Sequence, residues 1–177
     1  MGQLGARHRS TAMIKIDITE SDVIDVVGKF LRQLFECTVI KGQVNRVSMP
    51  HGSFIVMTPI FRKALSMNVK TVKETSSDIM TPTELTMQLD FYGDNAGDMA
   101  QIFLNCIHDD FAFRFFPLDI KPLYTSDMRQ LPFITGEKNY LDRWSTDLTL
   151  QFNPTVEVPE DTWTTLGDFR VIHANGL

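Results

Sequence analysis

The sequence predicts an α+β fold, a mainly antiparallel β-sheet with two principal helices packed on one face. The first observation behind this is the stretch 140–152, where Tyr140, Trp144, Leu148, Leu150 and Phe152 share one parity and Arg143, Ser145, Asp147, Thr149 and Gln151 the other. That is period two, the mark of a strand with one buried and one wet face. The second is a pair of segments whose apolar residues recur at helical spacing, each needing a sheet face to cover it. The third is the order of elements: helix, three or four strands, helix, then two or three strands, which fits helices segregated to one side of an antiparallel sheet.

Residues 1–12 carry no hydrophobic period, and 1–17 read as an N-terminal arm, either held by a partner or extraneous to the fold, with 18–177 as one domain. Thr19 followed by Asp22 resembles a capping pair, and Val23, Val26, Val27, Phe30, Leu31 and Leu34 then predict an amphipathic helix over 20–35. Gly28 within it marks a close packing contact, because glycine costs helix stability. Residues 39–44 read as a short strand, 48–52 as a loop, and Phe54, Ile55, Val56 and Met57 as a central strand. From 62 to 82 the composition turns polar, and the β propensity of Val69, Thr71, Val72 and Thr75 favours a projecting hairpin over a mobile loop.

Leu85, Met87, Leu89 and Phe91 alternate with Thr86, Gln88 and Asp90, a second half-buried strand. It ends in Gly93-Asp94-Asn95, a turn that can cap the next helix, whose apolar face is Met99, Ala100, Phe103, Cys106 and Ile107. Phe111, Phe113 and Phe115 alternate yet run into Phe116-Pro117, so their spacing leaves open whether they extend the helix or leave it. Residues 118–124 read as a short strand that Pro122 assigns to an edge or a bulge. The long strand over 129–154 follows, then 156–159 and a C-terminal segment holding Trp163, Leu166, Phe169, Val171 and Ile172.

Composition narrows the function classes. Thirteen Phe and nine Met among 177 residues predict an aromatic-rich interior filled out by adaptable thioethers, or contact surfaces built from the same side chains. A net charge of −5 argues against wrapping nucleic acid. No apolar run approaches the roughly 18 residues of a membrane span, no signal-peptide hydrophobic region is present, and Cys37 and Cys106 lack CxxC spacing. The expectation is a soluble protein with reduced cysteines.

Chemistry-bearing patterns are missing too. The glycines form neither GxGxxG nor GxxxxGK[ST], and neither GxSxG nor HExxH occurs. His108-Asp109-Asp110 is the best oxygen-rich metal candidate, but neighbours on a helix point apart, so it reads as a solvated helix end. Residues 94–98 fail the ligand spacing of a calcium loop, and Cys37 with His51 has no third residue to orient a base. No catalytic, cofactor or metal residue is assigned, which leaves a structural or binding protein.

Three segments carry a resemblance: GQVNRVSMPHGSFIVMTP from Gly42, LDFYGDNAGDMA from Leu89, and PLYTSDMRQLPFITGEKNYLDRWSTDLTLQFNPTVEVP from Pro122, in order behind the opening ITESDVI from Ile18. Together they resemble the phage neck or tail terminator family. The resemblance implies a structural virion protein that assembles in the host cytoplasm as a hexameric ring of its own copies. Such a ring would cap the head-proximal end of the tail tube, end tube growth and meet neck or head-completion proteins, with the tail sheath a further partner. Head-to-tail closure needs two unlike surfaces on each subunit. Arg46, Met49, Pro50 and His51, a mixed apolar and cationic loop, and Arg62, Lys63, Lys70 and Lys73, on a basic hairpin of an acidic protein, are the candidate inter-subunit or partner contacts. A head-completion or connector-adaptor protein is the alternative, and a small enzyme a third reading. No membrane and no sequence-specific nucleic acid are expected as partners.

Overall fold

The computed structural model describes residues 14–43, 49–131, 133–134 and 140–159. Along the chain lie β1 (Lys15–Ile16), α1 (Glu20–Leu34), β2 (Thr38–Lys41), β3 (Phe54–Ala64), β4 (Val69–Val72), β5 (Ser76–Met80) and β6 (Thr83–Tyr92). There follow α2 (Ala96–Ile107), α3 (Asp110–Phe115), β7 (Ile120–Thr125), β8 (Arg129–Gln130), β9 (Phe133–Ile134), β10 (Tyr140–Leu141), β11 (Arg143–Phe152) and β12 (Thr155–Pro159). The large sheet runs β2-β3-β6-β11-β7, with β8 paired to the first residues of β11. All its described ladders are antiparallel except β2 with β3, which are joined by a crossover of the chain and run parallel. The expected α+β architecture is the observed one.

A second sheet, in the order β1-β12-β5-β4, was not separable in the sequence. It extends strand lines of the first: β5 leads through Thr81-Pro82 into β6, and β11 leads through Asn153-Pro154 into β12. The two prolines interrupt donation at the junction, and the remaining bonds, Leu65 N to Pro82 O at 2.8 Å and Thr81 N to Pro154 O at 3.2 Å, carry the ladder across it. Lys15–Ile16, placed in the N-terminal arm by sequence, pair with Glu157 and Val156.

Helix α1 starts at the expected capping box, in which Thr19 Oγ1 accepts from Asp22 N at 3.3 Å and Asp22 Oδ2 accepts from Thr19 N at 2.8 Å. Val23, Val27, Phe30 and Leu31 are fully buried against the sheet. A Cβ on Gly28 would lie 3.2 Å from Met57 Cε, the close contact that the glycine predicted. Helix α2 adds Met99, Ala100, Phe103 and Ile107 to the same core. Gly93 precedes it at φ +114°, with Ser53 Cα 2.9 Å from where a Cβ would sit, so only glycine fits this turn. Asn95 does not cap α2 through its side chain; its Oδ1 accepts from Ser53 Oγ instead, tying the turn to the start of β3.

Three expectations are corrected, and a question left open by the spacing is settled. The long strand begins at Arg143, because the described residues of 129–141 include three two-residue pieces, β8 pairing back on β11 and β9 pairing with β10. Its polar side is not uniformly wet: Ser145 and Thr149 are buried, small side chains shielded between longer ones on the same face. Strand β3 runs to Ala64 rather than stopping near Met57, carrying Arg62 and Lys63 within a ladder. The three phenylalanines after α2 form the short helix α3, where Phe111 and Phe115 sit one turn apart and both approach Phe30, at 5.9 and 5.3 Å between ring centroids. Phe113, on the opposite side, is 63% exposed.

Candidate assembly surfaces

The two groups of sequence-derived contact residues lie at opposite ends of β3. Met49, Pro50 and His51 precede its first residue, with Met49 and His51 exposed and Pro50 half-buried; Arg46 falls outside the described residues. Arg62 and Lys63 sit at its far end, and Lys70 and Lys73 on and just beyond β4. Eleven residues of extended chain separate the ends, on the order of 35 Å. The structure therefore joins neither group to the other.

The far end is a β-arm. Beyond Ala64 the chain passes through 65–68 into β4 without reversing direction and turns back only at 73–75 into β5, the hairpin closed by Lys73 N donating to Ser76 O at 2.8 Å. The sequence pointed to the arm's cations, yet these side chains are engaged within the protomer. Arg62 Nη2 donates to Glu20 Oε2 at 2.7 Å while its guanidinium lies 5.5 Å from the Phe152 ring centroid. Lys63 Nζ meets Glu84 Oε1 at 3.0 Å, and Lys73 Nζ meets Asp78 Oδ2 at 2.8 Å. The Glu84 hydrogen bond raises the Lys63 pKa, and the Asp78 hydrogen bond does the same at Lys73, so both hold their protons more firmly than free lysines.

What the arm offers outward is apolar. Ile60, Phe61, Leu65, Met67, Val69 and Val72 are all exposed, Met67 at 88%. Every residue of β4 is exposed. Sequence reasoning recorded the β propensity of Val69 and Val72 but not that both would lie uncovered, since a polar hairpin context hides a sparse apolar set.

A second exposed apolar set lies on α3, the turn after it and β7: Phe113, Leu118, Leu123 and Tyr124. Lys121 fixes this region, donating to Phe113 O at 2.9 Å and Phe116 O at 2.8 Å with its ammonium 4.2 Å from the Phe113 ring centroid.

The face of the large sheet away from the helices is polar and ordered. Arg143 forms a bidentate pair with Asp90, its Nη2 3.0 Å from Oδ2 and its Nε 3.2 Å from Oδ1, and Gln88 Nε2 donates to the same carboxylate. Phe54 and Tyr92 stack beside it at 4.6 Å between centroids. Burial raises the Tyr92 pKa, with the Asp90 charge adding to that and Arg143 opposing it. This arrangement supports the sheet and offers no reactive group.

The His108-Asp109-Asp110 run is occupied structurally. His108 Nε2 lies 3.0 Å from Thr125 Oγ1, Asp109 Oδ1 accepts from Phe111 N to cap α3, and Asp110 pairs with Arg114. No cluster of metal-ligating side chains occurs among the described residues. Cys37 and Cys106 are free and half-buried, and burial raises the Cys37 thiol pKa, which makes it a poor nucleophile. Among the described residues no helix is long and apolar enough to cross a membrane.

A family model described as phage neck terminator protein matches residues 21–174. This chain belongs to that family. The terminator is thus a structural component of the phage virion, at the neck and tail, and not an enzyme. Among solved structures it is similar to the sheath/tube terminator of PVC, an extracellular contractile injection system, in its extended state. The two are 10% identical with a TM-score of 0.44 over 81% of this chain, which spans 57% of the length of that one. No curated protein matches the terminator.

Proposed function

We propose that copies of this terminator close into a ring, hexameric as the resemblance implies, on the head-proximal end of the tail tube. There the ring ends tube growth and joins the tail to neck or head-completion proteins. One observation carries the reading: an ordered arm with its cations satisfied internally and six large apolar side chains left in water. A monomer gains nothing from such an arm, whereas burial of those side chains between copies is favourable. In this reading Arg62, Lys63 and Lys73 set the pose of the arm, Lys70 lies within the contact, and Met49, Pro50 and His51, at the other end of β3, meet a different partner. Separation along β3 lets one subunit bind its neighbour and the tube or neck at once.

The test mixes purified terminator with polymerising tail-tube subunits and measures tube lengths by negative-stain microscopy. Mean length should fall as the ratio of terminator to tube protein rises, with a ring of density at one tube end. An unchanged length distribution across the titration overturns the proposal.

A further inference from the structure

Ten of the exposed large apolar side chains fall into two sets, and sheet order says how these are placed. Because β5 continues into β6 and β11 into β12, the order β12-β5-β4 follows β11-β6-β3, and β4 lies on the β3 side of the molecule. Strand β7 is the edge beyond β11, on the other side. Ile60, Phe61, Leu65, Met67, Val69 and Val72 therefore mark one flank and Phe113, Leu118, Leu123 and Tyr124 the opposite one.

We infer that the arm flank of one copy packs on the α3–β7 flank of a second copy, with Met67 and Leu118, the most exposed side chain of each set, at its centre. This rests on the ring reading and names the surface that receives the arm. Three arguments support it. Unlike patches on opposite flanks make a heterologous contact, the only kind that repeats head to tail into a ring; a patch that met itself would stop at a dimer. The areas match: the ten side chains present roughly 1,000 Å² of apolar surface, about the apolar share of a standard interface of some 1,600 Å² in total. The two flanks also differ in the sign of their charge, since residues 62–80 carry Arg62, Lys63, Lys70 and Lys73 against Glu74 and Asp78, whereas 109–125 carry Asp109, Asp110 and Asp119 against Arg114 and Lys121.

The geometry of the receiving flank is preset. Lys121 ties down the last carbonyls of α3 and covers one face of the Phe113 ring, so the ring is held in place before any partner arrives.

The test uses the full chain with Met67→Cys, with Leu118→Cys, and with both, treated with a short bismaleimide alone at high concentration and again with tube protein. The double variant should give a ladder of cross-linked oligomers, the two single variants mixed together a dimer at most, and each single variant or the parent chain only monomer. A ladder missing in both conditions, or a dimer from one single variant alone, overturns the inference. The ring reading is scored separately by tube length. Capped tubes without a ladder sink this contact and leave the capping role standing, whereas a ladder with uncapped tubes sinks the capping role and supports the contact.

Discussion

The helix-covered part of the large sheet and the arm below it are built from the same strand lines but answer to different solvents. In the first, Leu85, Met87, Leu89, Phe91, Leu148, Leu150 and Phe152 are all but fully buried beneath α1 and α2. In the second, β4, which carries on the line of the neighbouring strand β3, is exposed at every position. The difference shows that apolar content alone does not define a core; an element needs a second layer, and among the described residues nothing provides one for β4. The core fixes the shape of the subunit, and the arm leaves apolar surface exposed, which the proposed ring would bury.

The sharpest way to break that comparison is to remove a ring from the core. Phe30 touches Phe103, Phe111, Phe115 and Phe116 at 5.2–6.4 Å between centroids, linking α1 to both later helices. Phe30→Ala should lower unfolding free energy by about 3–5 kcal/mol in urea titration, the range for aromatic truncation in a packed core. A loss under about 1 kcal/mol would mean that the helix layer is far less tightly packed than its burial indicates.

Next in size is the polar side of the same sheet. Arg143→Met leaves the Asp90 carboxylate, 6% exposed, with Gln88 alone for company. Because Arg143 itself keeps partial contact with water, the cost should fall below that of a fully buried broken pair, at about 2 kcal/mol. The double variant Arg143→Met with Asp90→Leu should recover much of it, and a double variant no better than the single would mean that the pair is not what Asp90 depends on.

Smaller still is the cap of α1. Thr19→Ala should cost about 1 kcal/mol. The hydrogen bonds from Thr19 hold the Asp22 carboxyl below its ordinary pKa. That lowered value contributes stability present above the usual carboxylate range and lost as pH falls through the folded-state pKa. Asp22→Asn should therefore flatten the acid side of the stability profile, and an unchanged acid slope would show that the carboxylate is not favoured by folding.

How much of this was legible in the sequence follows the same division. Strands β6 and β11 could be read because one face of each is buried by helices, which imposes alternation. The capping box and the Gly28 contact could be read because local chemistry fixes them. The end of β3 could not, since Arg62 and Lys63 resemble loop residues until Glu20, Phe152 and Glu84 are brought beside them by the fold. Ser145 and Thr149 misled because small polar side chains are shielded by neighbours rather than by a hydrophobic layer. Of the candidate site, the sequence located the hairpin but named its lysines, and the apolar set showed only once strand order placed Phe61, Leu65, Met67 and Val72 in water.

The smallest expected effect on stability bears most directly on function. Met67→Ser changes a side chain 88% exposed in the link between β3 and β4, and Val72→Thr one that is 66% exposed on β4. Neither removes a core contact, so each should shift the unfolding free energy by no more than about 0.5 kcal/mol. Combined, they should still weaken self-association measured by mass photometry and raise the terminator concentration needed to shorten tubes, because the area they withdraw belongs to the interface rather than to the protomer. If instead the pair unfolds the protein, the arm is part of the core in energetic terms and the division between the two regions fails. If stability and assembly are both untouched, the apolar surface of the arm is solvated in the ring as well, and the contact must lie elsewhere on the subunit.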